Sequence, residues 1–329
     1  MLSFRFHIVS LVAVFLALGI GILMGTTVVN DFTIDTLERE IGRARRDVNE
    51  AETEIDTLQD DLRDVVQRDE QYLDESLPLL VAGRLINQPV MIIGADGIDR
   101  DRVNDLQDAL ATAGAAYQGT LWLNGSVALL EEGEVSEAGR ILGRTSTDAT
   151  SVRTTMLLRL ADELVEPDTS DLAPVEPDDS DTLLVELVTA GFADYQAPAG
   201  ASDEAIVPAP GTSFVLVGGR GSEVPSEEVL YPLLRNIAIT GDTAPAVAAE
   251  GEDPEGEEGE DPEEPAPFIA PMRADDVLAE GVSTVDNLDV AAGRAAVVLA
   301  LQQLQLGVVG HYGVADGAQR LLPAPVPQR

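Results

Sequence analysis

The chain has 329 residues and 34.8 kDa, enough for about two domains at roughly 150 residues each. Its formal charge of −39 sets it against polyanions, which excludes nucleic-acid binding through the overall field. With 45% hydrophobic residues it has material for a core, and with no Cys it has neither disulfides nor thiolate metal sites nor a cysteine nucleophile.

The first element is a charge-free run of 22 residues from Ile8 to Val29. As a helix at 1.5 Å per residue it spans about 33 Å, the thickness of a bilayer core. A cleaved leader would have a shorter apolar region and a small-x-small exit, and this run passes straight into Asp31. The reading is a retained anchor within residues 1–30. Arg5 precedes the run, and Asp31, Asp35 and Glu38 follow it, so the positive-inside rule places the N-terminus in the cytoplasm and the bulk outside. Ala17, Gly21 and Gly25 recur every fourth residue on one helical face and would permit close pairing of two membrane helices.

Residues 31–76 carry a heptad repeat. The a positions are Ile34, Ile41, Val48, Ile55, Leu62 and Asp69, and the d positions Leu37, Ala44, Ala51, Leu58, Val65 and Tyr72. Eleven of these twelve are apolar, which predicts a left-handed coiled coil about 58 Å long. β-branched residues at a with Leu at two d positions favour a parallel homodimer. Flanking charges are mixed: Glu40 would attract Arg45 of a second copy, and Asp47 would repel Glu52. A partner helix from another envelope protein is the alternative occupant.

From residue 77 the pattern changes to alternating strands and helices. Val90–Asp96 is a short buried strand. Asp99 caps a helix to about Ala113, with Val103, Leu106 and Leu110 inward and Gly114 at its end. A strand over Ala115–Leu123, helices over 151–164 and 182–192, a buried strand Phe214–Val217, and helices Glu227–Ile237 and Ala291–Leu306 follow. The predicted class is α/β: a membrane helix and parallel coiled coil followed by a Rossmann-like parallel sheet, its parts at 77–242 and 268–322. Between those parts, residues 243–267 hold ten carboxylates, no basic residue and many Gly and Pro, a composition that predicts a disordered insert. Glu166–Asp181 and Ala197–Thr212 read as solvated loops, and 323–329 as an extended tail.

Chemistry is sparse. Gly218-Gly219-Arg220-Gly221-Ser222 lies between a strand and a helix but has neither a full GxGxxG nor a Walker lysine, so it reads as a chain-reversing turn. There are two histidines, His7 beside the membrane and His311 near the C-terminus, and the five Met form no M-x-x-M cluster. No enzyme and no cofactor are predicted. Copper is the one candidate ligand, with His311 the metal ligand this inventory offers; a locally hydrogen-bonded turn accounts for the same residues.

Two segments go beyond packing: Ser283-Thr284-Val285-Asp286-Asn287 with Gly293-Arg294, and Gly310-His311-Tyr312-Gly313. With HIVSLVAVFLALGIGILMG, the coil, VMIIGAD, STVDNLDVAAGRAAVVLAL and GHYGVADGA, the chain resembles the actinobacterial copper transporter family, described in mycobacteria as outer-membrane copper transport proteins. The resemblance covers most of the chain. It implies a membrane-anchored envelope protein of copper efflux or tolerance, in the outer membrane by that resemblance. It also implies an alternative: a non-enzymatic coiled-coil scaffold acting on cell-wall hydrolases in cell separation. The acidic insert is not part of the resemblance.

Overall fold

The computed structural model describes residues 3–145, 148–165, 182–198, 200, 208–219, 221–240, 245–251, 268–324 and 326. They form two compact units, Met1–Asp69 and Glu70–Arg329.

The first unit is helix. Helix α1 runs from Ser3 to Val81 and so ends in the second unit. Its segment Phe6–Met24 is long and apolar enough to cross a membrane, and none of it is buried. Beyond it the described seam residues Ile41, Val48, Ile55, Leu58 and Val65 are all exposed.

The second unit is a mixed α/β body on a seven-stranded, mostly parallel sheet of order β3-β2-β1-β4-β5-β6-β7. The strands are β1 (Pro89–Ala95), β2 (Ala116–Leu123), β3 (Ala193–Gln196), β4 (Ser213–Gly219), β5 (Ala246–Gly251), β6 (Ser283–Val285) and β7 (His311–Tyr312). Only β3, at one edge, is antiparallel to its neighbour. Continuous apolar runs form the central strands because both faces are covered. Met91, Ile93, Phe214, Leu216 and Ala248 pack into one layer with α3 (Glu132–Ile141), α4 (Ala149–Val165), α5 (Leu183–Thr189), α6 (Tyr231–Thr240), α7 (Ile269–Ala274) and α8 (Asp276–Gly281). The alternate residues Val90, Ile92, Val215, Val217, Val247 and Val285 pack into the other layer with α2 (Arg100–Thr112), α9 (Ala291–Leu304) and the end of α1.

The expected elements around β1 form as their residues dictate. The Asp99 carboxylate accepts the Asp101 N–H at 2.9 Å, and Gly114 takes the left-handed conformation just past the helix. Elsewhere the structure differs from the sequence expectations. Residues 246–251, expected to lie within the disordered insert, form β5 between β4 and β6. Their AVAA run, too small-sided to stand out as a strand, is fully buried there. The helix expected over 182–192 ends at Thr189, and the chain turns at Gly191 into β3. The helix α1 continues past residue 76, through Pro78, which has no N–H for the Asp74 carbonyl, to Val81. Helix α3 has no counterpart in the sequence reading, because its apolar positions are few; a capping box between Glu131 and Glu134 starts it. The rest of the insert (252–267) and the loop 166–181 lie outside the described residues.

Chain order reverses direction between β1 and β4, where parallel sheets commonly open a ligand crevice. Here the two loops close on each other. The Glu223 N–H donates to the Asp96 carbonyl at 2.8 Å, and Gly97 packs against the backbone of Gly221 and Glu223 so tightly that no Cβ fits. The chain's single tryptophan, Trp122, lies beneath this end of the sheet, with the Arg100 guanidinium 4.6 Å above its ring.

Candidate functional site

The motif residues of the C-terminal segment come together at the β6–β7 edge. Side chains alternate along a strand, so Thr284 and Asp286 share one face of β6 and Val285 and Asn287 the other. On the first face Arg273, projecting from α7, is the hub. Its Nε–H donates to Thr284 Oγ1 at 2.9 Å, and its Nη1 reaches the carbonyls of Ala315 (3.4 Å) and Asp316 (3.0 Å). Its Nη2 reaches the Tyr312 carbonyl at 2.9 Å and Asp286 Oδ2 at 2.8 Å. The guanidinium thus makes four hydrogen bonds to the protein and one ion pair. Both charged side chains are almost wholly buried, at 5% and 1% exposed.

Asp286 completes the knot. Its oxygens accept the N–H groups of Val314 (2.7 Å) and Ala315 (3.1 Å), which ties the loop after β7 to the end of β6. Gly313 makes this possible: its φ is +125° and the Asp286 carboxylate fills the space a side chain would take. Ser283 Oγ accepts the Gly310 N–H at 3.1 Å, and Tyr312 donates its hydroxyl to Gln303 Oε1 at 2.5 Å. Burial pushes the Tyr312 phenol up from its usual range.

His311 is half-buried within this network. Its Nδ1 lies 2.9 Å from Thr284 Oγ1, and its ring hydrogen-bonds the Ala279 backbone. Since Thr284 Oγ1 already accepts from Arg273, its own hydrogen is free to donate to Nδ1. Burial, and then the Arg273 charge, push the imidazole below its ordinary value, against the Ala279 contact. Among the described residues no group of three or more His, Asp or Glu side chains converges as a metal cage.

Arg294 and Gly293 serve the opposite face. Gly293 packs against the Asn287 carbonyl at the start of α9. Arg294, 10% exposed, donates to the Asp289 carbonyl at 3.0 Å and to Asp74 Oδ1 of α1 at 2.9 Å, with Asp105 Oδ2 of α2 3.4 Å away. The sequence reading did not single out Arg273, Asp74 or Asp105. An arginine inside the apolar run AAGRAAVV announces a buried carboxylate partner, although not which one. The anchor positions Ala17 and Gly21 stand open along α1, while of Gly25, Ile34, Leu37 and Leu62 only the helical backbone is described.

These features define a class: a protein with an α/β body and a long helix that carries one apolar span among the described residues, its signature residues knotting the C-terminal strands rather than facing a cleft. The chain belongs to the family described as "Copper transport outer membrane protein, MctB", whose model matches residues 1–323. Relatives named "Copper transporter MctB" include those of Mycobacterium tuberculosis and Mycobacterium bovis, each 28% identical with 97% of this chain and 98% of theirs covered. That of Mycobacterium leprae is 26% identical over the same shares.

Proposed function

We propose that this chain is a bilayer-anchored, non-enzymatic envelope protein through which cells export or tolerate copper. Family membership and the relatives' names support the copper role. The observation that carries the anchoring is the unburied 19-residue span Phe6–Met24 at the head of α1. One spanning helix encloses no pore, because a helix satisfies its backbone within itself and leaves no lumen. Copper passage therefore depends on assembly with other copies or other proteins. The exposed a and d residues from Ile41 to Val65 are the surface for that assembly, and a second copy in parallel is its occupant. In this reading the N-terminus is cytoplasmic, the body lies in the envelope, and His311 serves the β6–β7 knot rather than a metal.

The test is a strain lacking the protein, complemented with the full chain or with a version whose Phe6–Met24 is replaced by a cleavable leader. Copper accumulation and growth inhibition should return to normal with the full chain only. Full rescue by the unanchored version would overturn the anchoring, and unchanged copper handling in the deletion strain would overturn the copper role. The exposed seam also suits a second reading, a scaffold that recruits cell-wall hydrolases for cell separation. That reading expects chained cells in the deletion strain with copper handling intact.

A further inference from the structure

The loop after β7 is a surface flap held by polar contacts. Residues 314–317, 319 and 320 are exposed, so the flap buries little apolar surface of its own. It folds back on β7 through the Gly313 N–H, which donates to the Arg320 carbonyl at 3.0 Å, and the Gln319 N–H, which donates to the His311 carbonyl at 2.8 Å. Arg273 holds it from α7: the guanidinium donates to the Ala315 and Asp316 carbonyls, and Gly317, at a φ of +82°, lies against the aliphatic part of the side chain. The frame beneath is anchored separately. Val285 and Tyr312 are buried in the layer of α2 and α9, and Met272 of α7 in the opposite layer. A segment with few apolar contacts on a firm frame opens locally, without the rest of the fold.

Arg273 shares one atom with His311. His311 Nδ1 and Arg273 Nε each lie 2.9 Å from Thr284 Oγ1. An imidazolium donates from both ring nitrogens and accepts at neither. Once His311 is protonated, the Thr284 hydroxyl therefore faces two cationic N–H groups, and its own hydrogen loses Nδ1 as an acceptor. Two like charges then share one hydroxyl in a half-buried place, where water screens them poorly. The neighbouring charges do not offset this. Asp286 of β6 is spent on Arg273 and on the Val314 and Ala315 N–H groups. From α8 comes the Ala279 backbone, with the exposed Glu280 next along. The flap brings Asp316, whose carbonyl already serves Arg273, and Arg320, a further positive charge near Tyr312, whose hydroxyl is turned to Gln303. We propose that His311 is the trigger of an acid-released latch: when it takes a proton, Arg273 gives up the carbonyls of the flap, and residues 313–320 swing off β7 and bare the Arg273–Asp286 pair while the sheet stays folded. Burial and the Arg273 charge, which hold the imidazole below its ordinary value, keep the latch shut at neutral pH. The latch is independent of how the chain handles copper.

Amide hydrogen exchange of the full chain in detergent, measured across pH 7.5 to 5.5 and expressed as protection factors, reads the latch directly. Protection of residues 314–320 should fall at least threefold at pH 5.5, while that of β4 and α9 holds. His311→Gln keeps a polar side chain that never charges, and should abolish the fall. Unchanged protection of the flap in wild type, a fall shared by β4 and α9, or the same fall in His311→Gln would each overturn the latch. If the variant loosens the flap at pH 7.5 as well, a second measurement on wild type decides. The chain has only two histidines, so in protein labelled at the imidazole carbons His311 is assigned as the resonance that His311→Gln removes. Its titration midpoint should coincide with the pH at which the flap loses half of its acid-sensitive protection. Midpoints a full pH unit or more apart would overturn the proposal.

Discussion

Arg294 of α9 and Asp74 of α1 lie 220 residues apart in sequence and meet at 2.9 Å, fastening the last turns of the long helix to the body. The arginine is nearly buried and the aspartate is 61% exposed, so the two ends of this pair are not equivalent. Asp74→Asn should lower stability by only about 0.2–1 kcal/mol, because Asp105 and the Asp289 carbonyl still receive the guanidinium. Arg294→Gln removes all three contacts at once. It should speed amide hydrogen exchange over residues 70–77 at least tenfold, while Asp74→Asn should give a smaller increase. Equal exchange in wild type and Arg294→Gln would show that Leu77 and Val81 alone hold this segment.

The Arg273–Asp286 pair is of another kind. Both partners are buried, and each also holds backbone of the loop after β7. Neutralising one leaves a desolvated charge, which costs about 3–5 kcal/mol in comparable sites. Asp286→Asn should therefore destabilise the body by that amount, measured as a denaturant midpoint shift on Trp122 fluorescence. Replacing both, as Arg273→Met with Asp286→Leu, should cost less than the sum of the single changes. Additivity of the two would mean that the pair is not coupled.

How much of this was legible in the sequence depends on what kind of signal each part carries. Strands β1 and β4 announce themselves because they are buried on both faces and built largely from Val, Ile, Leu, Met and Phe, and β2 does so through its buried end Leu121-Trp122-Leu123. β5 does not, because its Ala residues owe their strand conformation to lying between two existing strands, and the acidic residues that follow mask them. β6 and β7, of three and two residues, are too short for any periodicity. The motif residues around them could be picked out, but their roles could not: which carboxylate meets which arginine is decided by the fold bringing residue 273 to 286, and 294 to 74. A histidine outside the apolar span of a chain without cysteine suggests a ligand, whereas the structure surrounds His311 with Thr284, Arg273 and Ala279.

That environment makes His311 a source of pH dependence. Its folded-state pKa lies below the unfolded value of about 6.5, so between the two the unfolded chain binds more protons. Its contribution is present above about pH 6.5 and is lost as the pH falls toward the folded value. Since the ring is half-exposed, the effect should be modest. His311→Gln should flatten the fall in melting temperature between pH 7.5 and 5.5 relative to wild type. The comparison with wild type is needed because carboxylates titrate in both proteins. A parallel fall in the two would remove His311 as a contributor. Copper(II) titration of the same pair should give indistinguishable isotherms if the imidazole serves the fold.

The ends of the acidic stretch are closed independently of what lies between them. Glu250, in β5, accepts the Phe268 N–H through its carboxylate at 3.4 Å, which joins the residues flanking 252–267. Phe268 is itself fixed: its ring stacks on Tyr231 at 5.7 Å, its carbonyl accepts the Tyr231 hydroxyl at 2.8 Å, and it packs against Gly218. Shortening a loop whose ends are already held together changes the closure entropy little, at about 0.6 kcal/mol per halving of length and in the stabilising direction. Removing eight of the carboxylates in 253–266 also relieves self-repulsion in a chain of charge −39. Replacing 253–266 by a few Gly and Ser residues should therefore hold or slightly raise the melting temperature at low salt, with the gain shrinking as salt screens the charges. A loss of several degrees at all salt concentrations would show that the segment contributes contacts of its own. A loss that appears only when divalent cations are present would show that it binds them in the folded protein.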